Sequence, residues 1–407
     1  MTIRTLGERL YRSYRKYRLG SLHSGNCKHR EVMHELRSIV EKSGGLLTIE
    51  EAGSSLEGRS IPLVRCGKGR MRVLLWSQMH GDECTATLAL LDMFKFFTSR
   101  GSNRRLVDGL FSATALYFIP MLNPDGAERS QRHTAVGIDM NRDARSLLTP
   151  EAKCLRRLHR RLRPEFGFNL HDQELSSAGM KPSVAAIALL APAADEKRTV
   201  FPGRARAMRI AGLMSRVLHD YVPGHVTRYD DTFEPRAFGD SMQAWGTSTV
   251  LVESGHWPGD PRKEFIRQLN FVGLTAALYG IARGWYKNES MKQYTELPTN
   301  GKRLYDIIVR NLTLQDDKSG EFPADIGVVI EPRLNKNRRF RTNPLVTIKE
   351  VGDLDGFGAL HEVDAGRKRV GAKHVGVEQV LRLRRLSDIL RISFHKLARV
   401  LDSRAHR

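Results

Sequence analysis

The sequence predicts an α/β fold in which helices flank a central, mostly parallel or mixed sheet. Short apolar runs of strand length recur along the chain, at residues 71–78, 113–122, 166–171 and 247–255. Segments of helical length and spacing, such as 84–97, separate these runs. Strands that are apolar throughout are buried on both faces, so this alternation favours a sheet covered by helices on both sides.

The remaining elements bound this α/β domain, which we place at residues 26–290. Val32, Leu36 and Val40 have helical spacing, and the glycine pair at 44–45 would end that helix. Residues 46–53 have strand character, and 54–67 is typical of a hairpin of two short strands. A helix over 265–286 would close the domain.

Three segments are predicted outside the α/β domain. Residues 1–25 are predicted as a basic N-terminal arm, for which a surface helix or a frayed end is favoured over contact with a membrane or nucleic acid. β-rich stretches separated by turn residues predict a small accessory domain over 295–372. Residues 373–407 predict a basic amphipathic C-terminal helix. One face of this helix would carry its apolar side chains, namely Leu383, Leu386, Leu390, Phe394, Leu397 and Leu401.

Composition and charge bound the class of protein. With 41% hydrophobic residues, the 407-residue chain has enough apolar side chains for a folded core, which excludes a largely disordered protein. Lys and Arg number 66 against 45 Asp and Glu, a net charge of +21. This excess favours anionic partners. For the basic C-terminal helix, docking of its apolar face on the protein is the favoured interpretation, and contact with an acidic partner is the alternative. No recognised nucleic-acid motif accompanies the charge, so a nucleic-acid partner is not expected.

The four cysteines lie far apart and form no C-x-x-C pair, which excludes a thiolate zinc site of the usual spacing and a disulfide framework. The sequence shows no apolar run of signal-peptide length and no apolar stretch of about 18 residues. We therefore predict a cytoplasmic protein without a transmembrane segment.

Candidate metal ligands follow two of the predicted strands. His80 and Glu83 lie in the loop between the strand at 71–78 and the following helix, and His171 ends the strand at 166–171. Strand ends on one edge of an α/β sheet converge on the same cleft. Two histidines and one glutamate are a common ligand set for catalytic zinc, although H-x-x-E alone is also compatible with surface residues.

A candidate general base lies at the end of the strand at 247–255. Burial of the Glu253 carboxylate is costly unless it meets a cation, carries a raised pKa or pairs with an arginine. A carboxylate beside an attacking water can take its proton and return it to the leaving amine. The segment 121–143 is rich in Arg and Asn, which suit recognition of a substrate carboxylate and stabilisation of an oxyanion.

Together these motifs resemble the zinc metallocarboxypeptidase family, the funnelins, over roughly residues 28–288. The motifs occur in the family's order: His80-Gly81-Asp82-Glu83, Asn123-Pro124-Asp125-Gly126, Asp139-Met140-Asn141-Arg142, His171 and Glu253. The resemblance implies an α/β catalytic domain, a single zinc ion, and hydrolysis of an amide bond next to a free carboxylate.

The resemblance also implies a role for each matching residue. His80, Glu83 and His171 would ligate zinc, and Glu253 would activate the attacking water as general base and acid. Asn141 and Arg142 would bind the substrate's terminal carboxylate. Arg132, with Arg129 as the alternative, would polarise the scissile carbonyl. Asp139 would accept a hydrogen bond from the second N–H of a ligand histidine. Asp172 could act like Asp139 or be a solvated loop carboxylate.

Two features depart from the digestive members of the family. Tyr229 is the candidate for their mobile-loop tyrosine, and it lies 24 residues before Glu253. The short spacing from Glu83 to His171 suggests that the loops of the specificity pocket are reduced or moved. A second resemblance, of residues 303–365 to the small β-sandwich domain of amidohydrolases, would describe an accessory module, and an unrelated β domain is an equal alternative.

These observations predict a zinc-dependent metallocarboxypeptidase that acts on peptides with a free carboxylate. The alternative within the class of zinc hydrolases is a deacylase of N-acyl amino acids, similar to aspartoacylase and succinylglutamate desuccinylase. From another class, the chain could be a non-catalytic binding protein on the same fold. Retention of all three ligands and of Glu253 favours the enzymes, and the intact N-P-D-G turn favours the peptidase.

Overall fold

The computed structural model describes residues 1–24, 27–330 and 344–397 of the chain. Its helices are α1 (Ile3–Ser13), α2 (His29–Glu41), α3 (Thr85–Thr98), α4 (Arg104–Ala113), α5 (Pro124–Arg129), α6 (Pro150–Leu162), α7 (Pro202–His219), α8 (Phe238–Ala244), α9 (Glu264–Ala282), α10 (Lys292–Thr295) and α11 (Leu383–Leu390). Its strands are β1 (Thr48–Ser54), β2 (Ser60–Cys66), β3 (Met71–Ser77), β4 (Thr114–Ile119), β5 (Phe166–Asp172), β6 (Ser177–Ala178), β7 (Ile187–Leu190), β8 (Val226–Arg228), β9 (Ser248–Ser254), β10 (Asn300–Gly301), β11 (Leu304–Asp316), β12 (Gly320–Ile330), β13 (Leu345–Gly352), β14 (Gly358–Asp364), β15 (Arg369–Gly371) and β16 (Val380–Arg382).

The chain forms two compact units. The first contains Met1–Gln173, Ala186–Gly255 and Glu264–Thr299. The second contains Glu174–Ala185, His256–Lys263 and the described residues from Asn300 onward.

The first unit is built on an eight-stranded mixed sheet with the order β1-β2-β4-β3-β5-β9-β7-β8. Its four central strands, β4, β3, β5 and β9, run parallel to one another. The edge strands are antiparallel at β1–β2, β2–β4 and β7–β9. The predicted α/β fold with a central mixed sheet is confirmed.

Apolar side chains bury the central strands on both faces. All seven residues of β9 and the first six of β5 are buried. On one face, Leu74 and Trp76 of β3 join a cluster with side chains of α6 and α8. Because alternate residues of a strand point to opposite faces, complete burial requires cover on both sides, as the continuous apolar runs predicted.

The strands before residue 70 differ from the predicted arrangement. One hairpin, formed by β1 and β2, replaces the predicted single strand followed by a separate hairpin over 54–67. The connecting turn lies at residues 55–59, where Ser55 N donates to Arg59 O at 2.8 Å. Gly58 adopts a positive φ of 77° in this turn, a conformation that glycine reaches without strain.

The N-terminal segment, predicted as a basic arm, packs into the first unit through a helix with one buried side. Thr2 and Thr5 form a capping box at the start of α1, and Ile3, Leu6 and Leu10 are buried along one side of that helix. Further along the segment, Tyr14, Tyr17, Leu19 and Leu22 are also buried. The apolar residues of α1 thus form one face that is buried in the first unit, and its charged residues lie mainly on the other face.

A buried ion pair between α3 and α9 fastens this segment. Arg267 donates to both Asp92 oxygens, at 2.6 and 2.7 Å, and both side chains are almost completely buried. The remaining Arg267 donors reach Leu19 O and Leu22 O, while Asp92 accepts from Tyr14 Oη at 2.9 Å and Leu19 N at 2.8 Å. The pair is thus hydrogen-bonded on all sides, which burial of charge requires.

We expect Arg267→Ala to lower the free energy of unfolding by about 3–5 kcal/mol, because it leaves the Asp92 carboxylate buried without its cation. Arg18→Ala is the matched control, since Arg18 pairs with Glu264 at 2.8 Å but is 44% exposed. Its expected cost is below about 1 kcal/mol. Urea unfolding of both variants checks the difference, and equal costs would contradict the role assigned to the buried pair.

The second unit contains a six-stranded sheet with the order β14-β11-β12-β13-β16, in which β15 also pairs with β11. Ile307, Val328 and Ile348 lie in its core together with Leu386 of α11. A two-stranded sheet, β6 with β10, belongs to the same unit.

The C-terminal helix is shorter than predicted. Where the sequence predicts one helix over 373–407, residues 380–382 instead form β16, which pairs with β13. Helix α11 ends at Leu390, and the next residue, Arg391, has a left-handed φ of 53°. Leu383, Leu386, Leu390 and Leu397 of the predicted apolar face are buried in the core of the second unit, whereas Leu401 lies outside the described residues.

Within the described ranges, no helix combines the length and the apolar character needed to cross a membrane.

Candidate metal centre and active site

The parallel strands bring the predicted ligands and the predicted base to one edge of the sheet. Strand β3 ends at Ser77, and His80 and Glu83 follow in the loop to α3. Strand β5 lies beside β3, with Ser77 paired to Leu170, so His171 follows at the same edge. Strand β9 lies on the other side of β5, and Glu253 is directly paired with His171. All four side chains are at least nine-tenths buried.

Three donor groups converge at this edge. His80 Nδ1 lies 2.7 Å from Glu83 Oε1, and His171 Nδ1 lies 2.8 Å from Glu83 Oε2. The two Nδ1 atoms are 3.2 Å apart. These atoms form a group that could hold a metal ion, with all ligand atoms within 4.8 Å of one another.

The hydrogen bonds around His80 indicate that this group suits a cation. His80 Nε2 lies 3.0 Å from Asp139 Oδ1, so a neutral His80 donates its Nε2–H and keeps a lone pair on Nδ1. That lone pair faces a Glu83 carboxylate oxygen, which is also an acceptor, so the two atoms repel unless a proton or cation lies between them. Two imidazoles and a carboxylate match the ligand set of zinc, and the residues present therefore fit that ion.

The charges of the group favour the same conclusion. Although burial opposes it, the Glu83 and Asp139 carboxylates raise the pKa of His80 to about 9. Burial also opposes ionisation of Glu83, but the two histidines hold the pKa of its carboxyl well below the usual range. Burial lowers the pKa of His171. The two imidazoles thus stabilise Glu83 as a carboxylate, which is the charge state in which it would bind a cation.

The N-P-D-G turn braces the ligand loop. Asn123 Oδ1 accepts from Gly126 N at 2.9 Å, and Asn123 Nδ2 donates to Met79 O at 3.2 Å and Arg132 O at 3.4 Å. At Gly81 a Cβ atom would lie 2.0 Å from the Gly126 carbonyl carbon, so only glycine permits this approach. The turn therefore fixes the ligand loop and the Arg132 backbone together, a role that the sequence analysis did not assign.

Arg132 lies beside the donor group and Arg129 does not contact it. Arg132 Nη1 donates to Glu83 Oε1 at 3.0 Å, and its Nη2 lies 3.3 Å from Asp139 Oδ2. Arg129 instead donates to Glu57 and to Asp125 O. The structure thus brings Arg132, the preferred of the two candidates, to the edge that holds the ligands.

Asn141 and Arg142 follow Asp139 in a short 3-10 helix. Asp139 Oδ1 accepts from Asn141 N at 2.9 Å, which joins this segment to the acceptor of His80. Asn141 Oδ1 accepts from Phe238 N at 3.0 Å, so its amide nitrogen is the group left for a ligand. The Arg142 side chain is 41% exposed and accessible from solvent.

Asp172 lies beside the candidate ligands, whereas Tyr229 lies several strands away in the sheet. Asp172 contacts the ligand set through its backbone, since Asp172 N donates to Glu83 Oε2 at 3.1 Å, and its carboxylate accepts from Thr85 Oγ1 at 2.5 Å. Tyr229 directly follows β8, three strands from β5 in the sheet order, and Tyr229 N donates to Leu189 O. Its role stays a prediction.

Comparisons with known proteins match part of the chain to zinc carboxypeptidases. The family model for zinc carboxypeptidases matches residues 32–167. A zinc carboxypeptidase of Saccharothrix mutabilis subsp. capreolus is 25% identical over 141 residues, which are 30% of this chain and 32% of that protein. Carboxypeptidase D of Drosophila melanogaster is 33% identical over 135 residues, 28% of this chain and 10% of that protein. The matches thus span a third or less of these relatives.

Solved structures show the same fold. A metallo-carboxypeptidase from Burkholderia cenocepacia superimposes with a TM-score of 0.51 at 14% identity, over 63% of this chain and 69% of that chain. Carboxypeptidase A from Helicoverpa armigera gives a TM-score of 0.50 at 16% identity, over 70% and 80% of the two chains. The family model and the curated relatives thus show that part of the α/β domain is similar to zinc carboxypeptidases, and the solved structures show that the domain has the carboxypeptidase fold.

Proposed function

We propose that this chain is a metallocarboxypeptidase that binds one zinc ion and removes the C-terminal residue of a peptide. The observation that carries the proposal is the direct pairing of Glu253 with His171 on adjacent parallel strands. This pairing sets a buried carboxylate beside three converging metal donors, which is the arrangement that metal-assisted hydrolysis requires.

The residues divide the work of hydrolysis between them. His80, Glu83 and His171 would hold zinc, which supplies a Lewis acid that polarises a carbonyl and acidifies water. Glu253 takes the proton of the attacking water and returns it to the leaving amine nitrogen. Arg132 donates hydrogen bonds to the oxygen of the scissile carbonyl as negative charge develops there.

Arg142 and Asn141 supply the preference for a chain end. A guanidinium binds a carboxylate through two parallel N–H groups, and the Asn141 amide nitrogen can donate to the same carboxylate. A peptide with a free C-terminus therefore gains contacts that an amidated peptide lacks.

The test compares one peptide with its C-terminal amide after loading the protein with zinc, with released amino acids measured by mass spectrometry. We expect release from the free acid alone and its loss when a chelator is added. Arg142→Ala should raise KM for the free acid by about ten- to a hundredfold, the value of a charge-assisted contact. Arg145→Ala, which alters an exposed arginine three residues further on, is the matched control and should not change KM.

Other outcomes would assign the chain to the alternative classes. Hydrolysis of N-acyl amino acids without release from peptides would identify a deacylase. Zinc uptake with peptide binding but no hydrolysis of either substrate would indicate a binding protein on this fold. Equal rates on the free acid and the amide would contradict the role of Arg142.

A further inference from the structure

A short segment of the first unit is fastened onto the proposed carboxylate grip. We name residues 234–240, which lead into α8, the clasp segment. Ala144 N donates to the Arg236 carbonyl at 3.0 Å, and Phe238 N donates to Asn141 Oδ1 at 3.0 Å. These bonds join two stretches of chain about a hundred residues apart and fix the clasp segment beside Arg142.

The clasp segment places a carboxylate next to the Arg142 guanidinium. Glu234 Oε2 lies 3.6 Å from Arg142 Nε. The same carboxylate accepts two hydrogen bonds from the Arg236 side chain, from Nε at 2.9 Å and from Nη2 at 2.6 Å, and a third from Arg236 N at 3.1 Å. Hydrogen bonding from Arg236, against a smaller effect of burial, lowers the pKa of Glu234 to about 2. Glu234 is thus negatively charged throughout the range in which the protein would work.

The position of Glu234 coincides with the edge of Arg142 that suits a substrate. Arg142 Nη1 donates to its neighbour's carbonyl, Asn141 O, at 2.8 Å, which uses one side of the guanidinium. Carboxylates bind arginine best along an edge with two parallel N–H groups, and the edge that starts at Nε is the one that Glu234 faces. The Arg142 and Glu234 side chains are 41% and 28% exposed, so a substrate can reach this edge.

We propose that Glu234 is an internal competitor for the substrate carboxylate on Arg142, and that it sets how strongly the site prefers a free C-terminus. This inference rests on the proposed function, because it takes Arg142 as the carboxylate grip. The exchange is inexpensive, since Glu234 keeps its hydrogen bonds from Arg236 when a substrate carboxylate takes the contact with Arg142. Glu234 is therefore a specificity-determining residue that acts on the substrate through Arg142.

The test measures binding apart from turnover. In a Glu253→Gln background, isothermal titration calorimetry of the zinc-loaded protein gives Kd for a peptide acid and for its amide, with and without Glu234→Gln. We expect Glu234→Gln to lower Kd for the acid by about three- to tenfold, the effect of removing one like charge at a partly exposed site, and to leave Kd for the amide unchanged. In the active protein the same change should lower KM and leave kcat unaltered.

Glu128→Gln is the matched control, because Glu128 also lies 3.6 Å from a cation, Lys28, with similar exposure. It should change neither Kd. An unchanged or higher Kd for the acid in Glu234→Gln would overturn the proposal, and a higher Kd would show that Glu234 positions Arg142 instead. Failure of the proposed function has a different signature, namely a wild-type protein that hydrolyses neither peptide. If the peptide acid binds no better than its amide in the Glu253→Gln protein, both the carboxylate-binding role of Arg142 and the competing role of Glu234 are refuted.

Discussion

Glu253→Gln is expected to lower kcat on a peptide acid by about 10²- to 10⁴-fold while zinc content stays the same. The substitution preserves the shape of the side chain and removes the carboxylate that, in the proposed function, carries the proton from water to the leaving amine. Because Glu253 is paired with His171 but is not one of the three converging donors, its loss should not release the metal. The measurements are steady-state kinetics and elemental analysis of the same preparation.

Glu165→Gln is the matched control for this substitution. Glu165 directly precedes β5 and is exposed, so it lies at the opposite end of the strand that carries His171. Its kcat should equal that of the wild type. Turnover within about threefold of wild type in Glu253→Gln would remove it from the proton transfer. Loss of zinc in that variant would instead indicate that Glu253 supports the ligands.

The sequence was sufficient to predict which polar residues follow buried strands and meet at one edge of the sheet. Strands β3, β5 and β9 are continuous apolar runs, and each is followed or ended by a polar residue whose burial needs a reason, such as His80, His171 or Glu253. Parallel strands of an α/β sheet then bring these residues to one edge, so the fold class and the ligands follow from the same pattern.

Contacts between distant stretches of chain could not be predicted in this way. The bond from Phe238 N to Asn141 Oδ1 depends on where the clasp segment returns, and no local pattern encodes that return. The same holds for Asn123, whose amide joins the Met79 and Arg132 carbonyls. Nothing in the sequence around Asn141 or Asn123 indicates these partners, which come close only when the chain is folded.

The predicted and observed elements also differ at short strands and near the C-terminus. Strands β7 and β8 have only four and three residues, too few for a period to be recognised, although β7 pairs with Glu253 of β9. At the C-terminus, helical periodicity was present, but pairing of β16 with β13 took residues 380–382 out of the helix. In both cases tertiary pairing outweighed the local pattern.

His171→Ala is expected to weaken zinc binding by more than about a hundredfold, because it removes one of three donors, whereas loss of a residue that only orients a ligand costs about ten- to a hundredfold. Asp139→Asn should cause this smaller loss of zinc affinity, since Asp139 Oδ1 contacts His80 Nε2 and not the proposed ion. His34→Ala, at an exposed histidine of α2, should leave zinc affinity unchanged.

The amount of zinc retained after dialysis against a competing chelator ranks the variants without any assay of activity. His171→Gln gives a second variant should the alanine protein fail to fold. Full zinc occupancy in a folded His171 variant would refute this ligand, and an Asp139 variant as weak as His171→Ala would make the carboxylate a ligand in its own right.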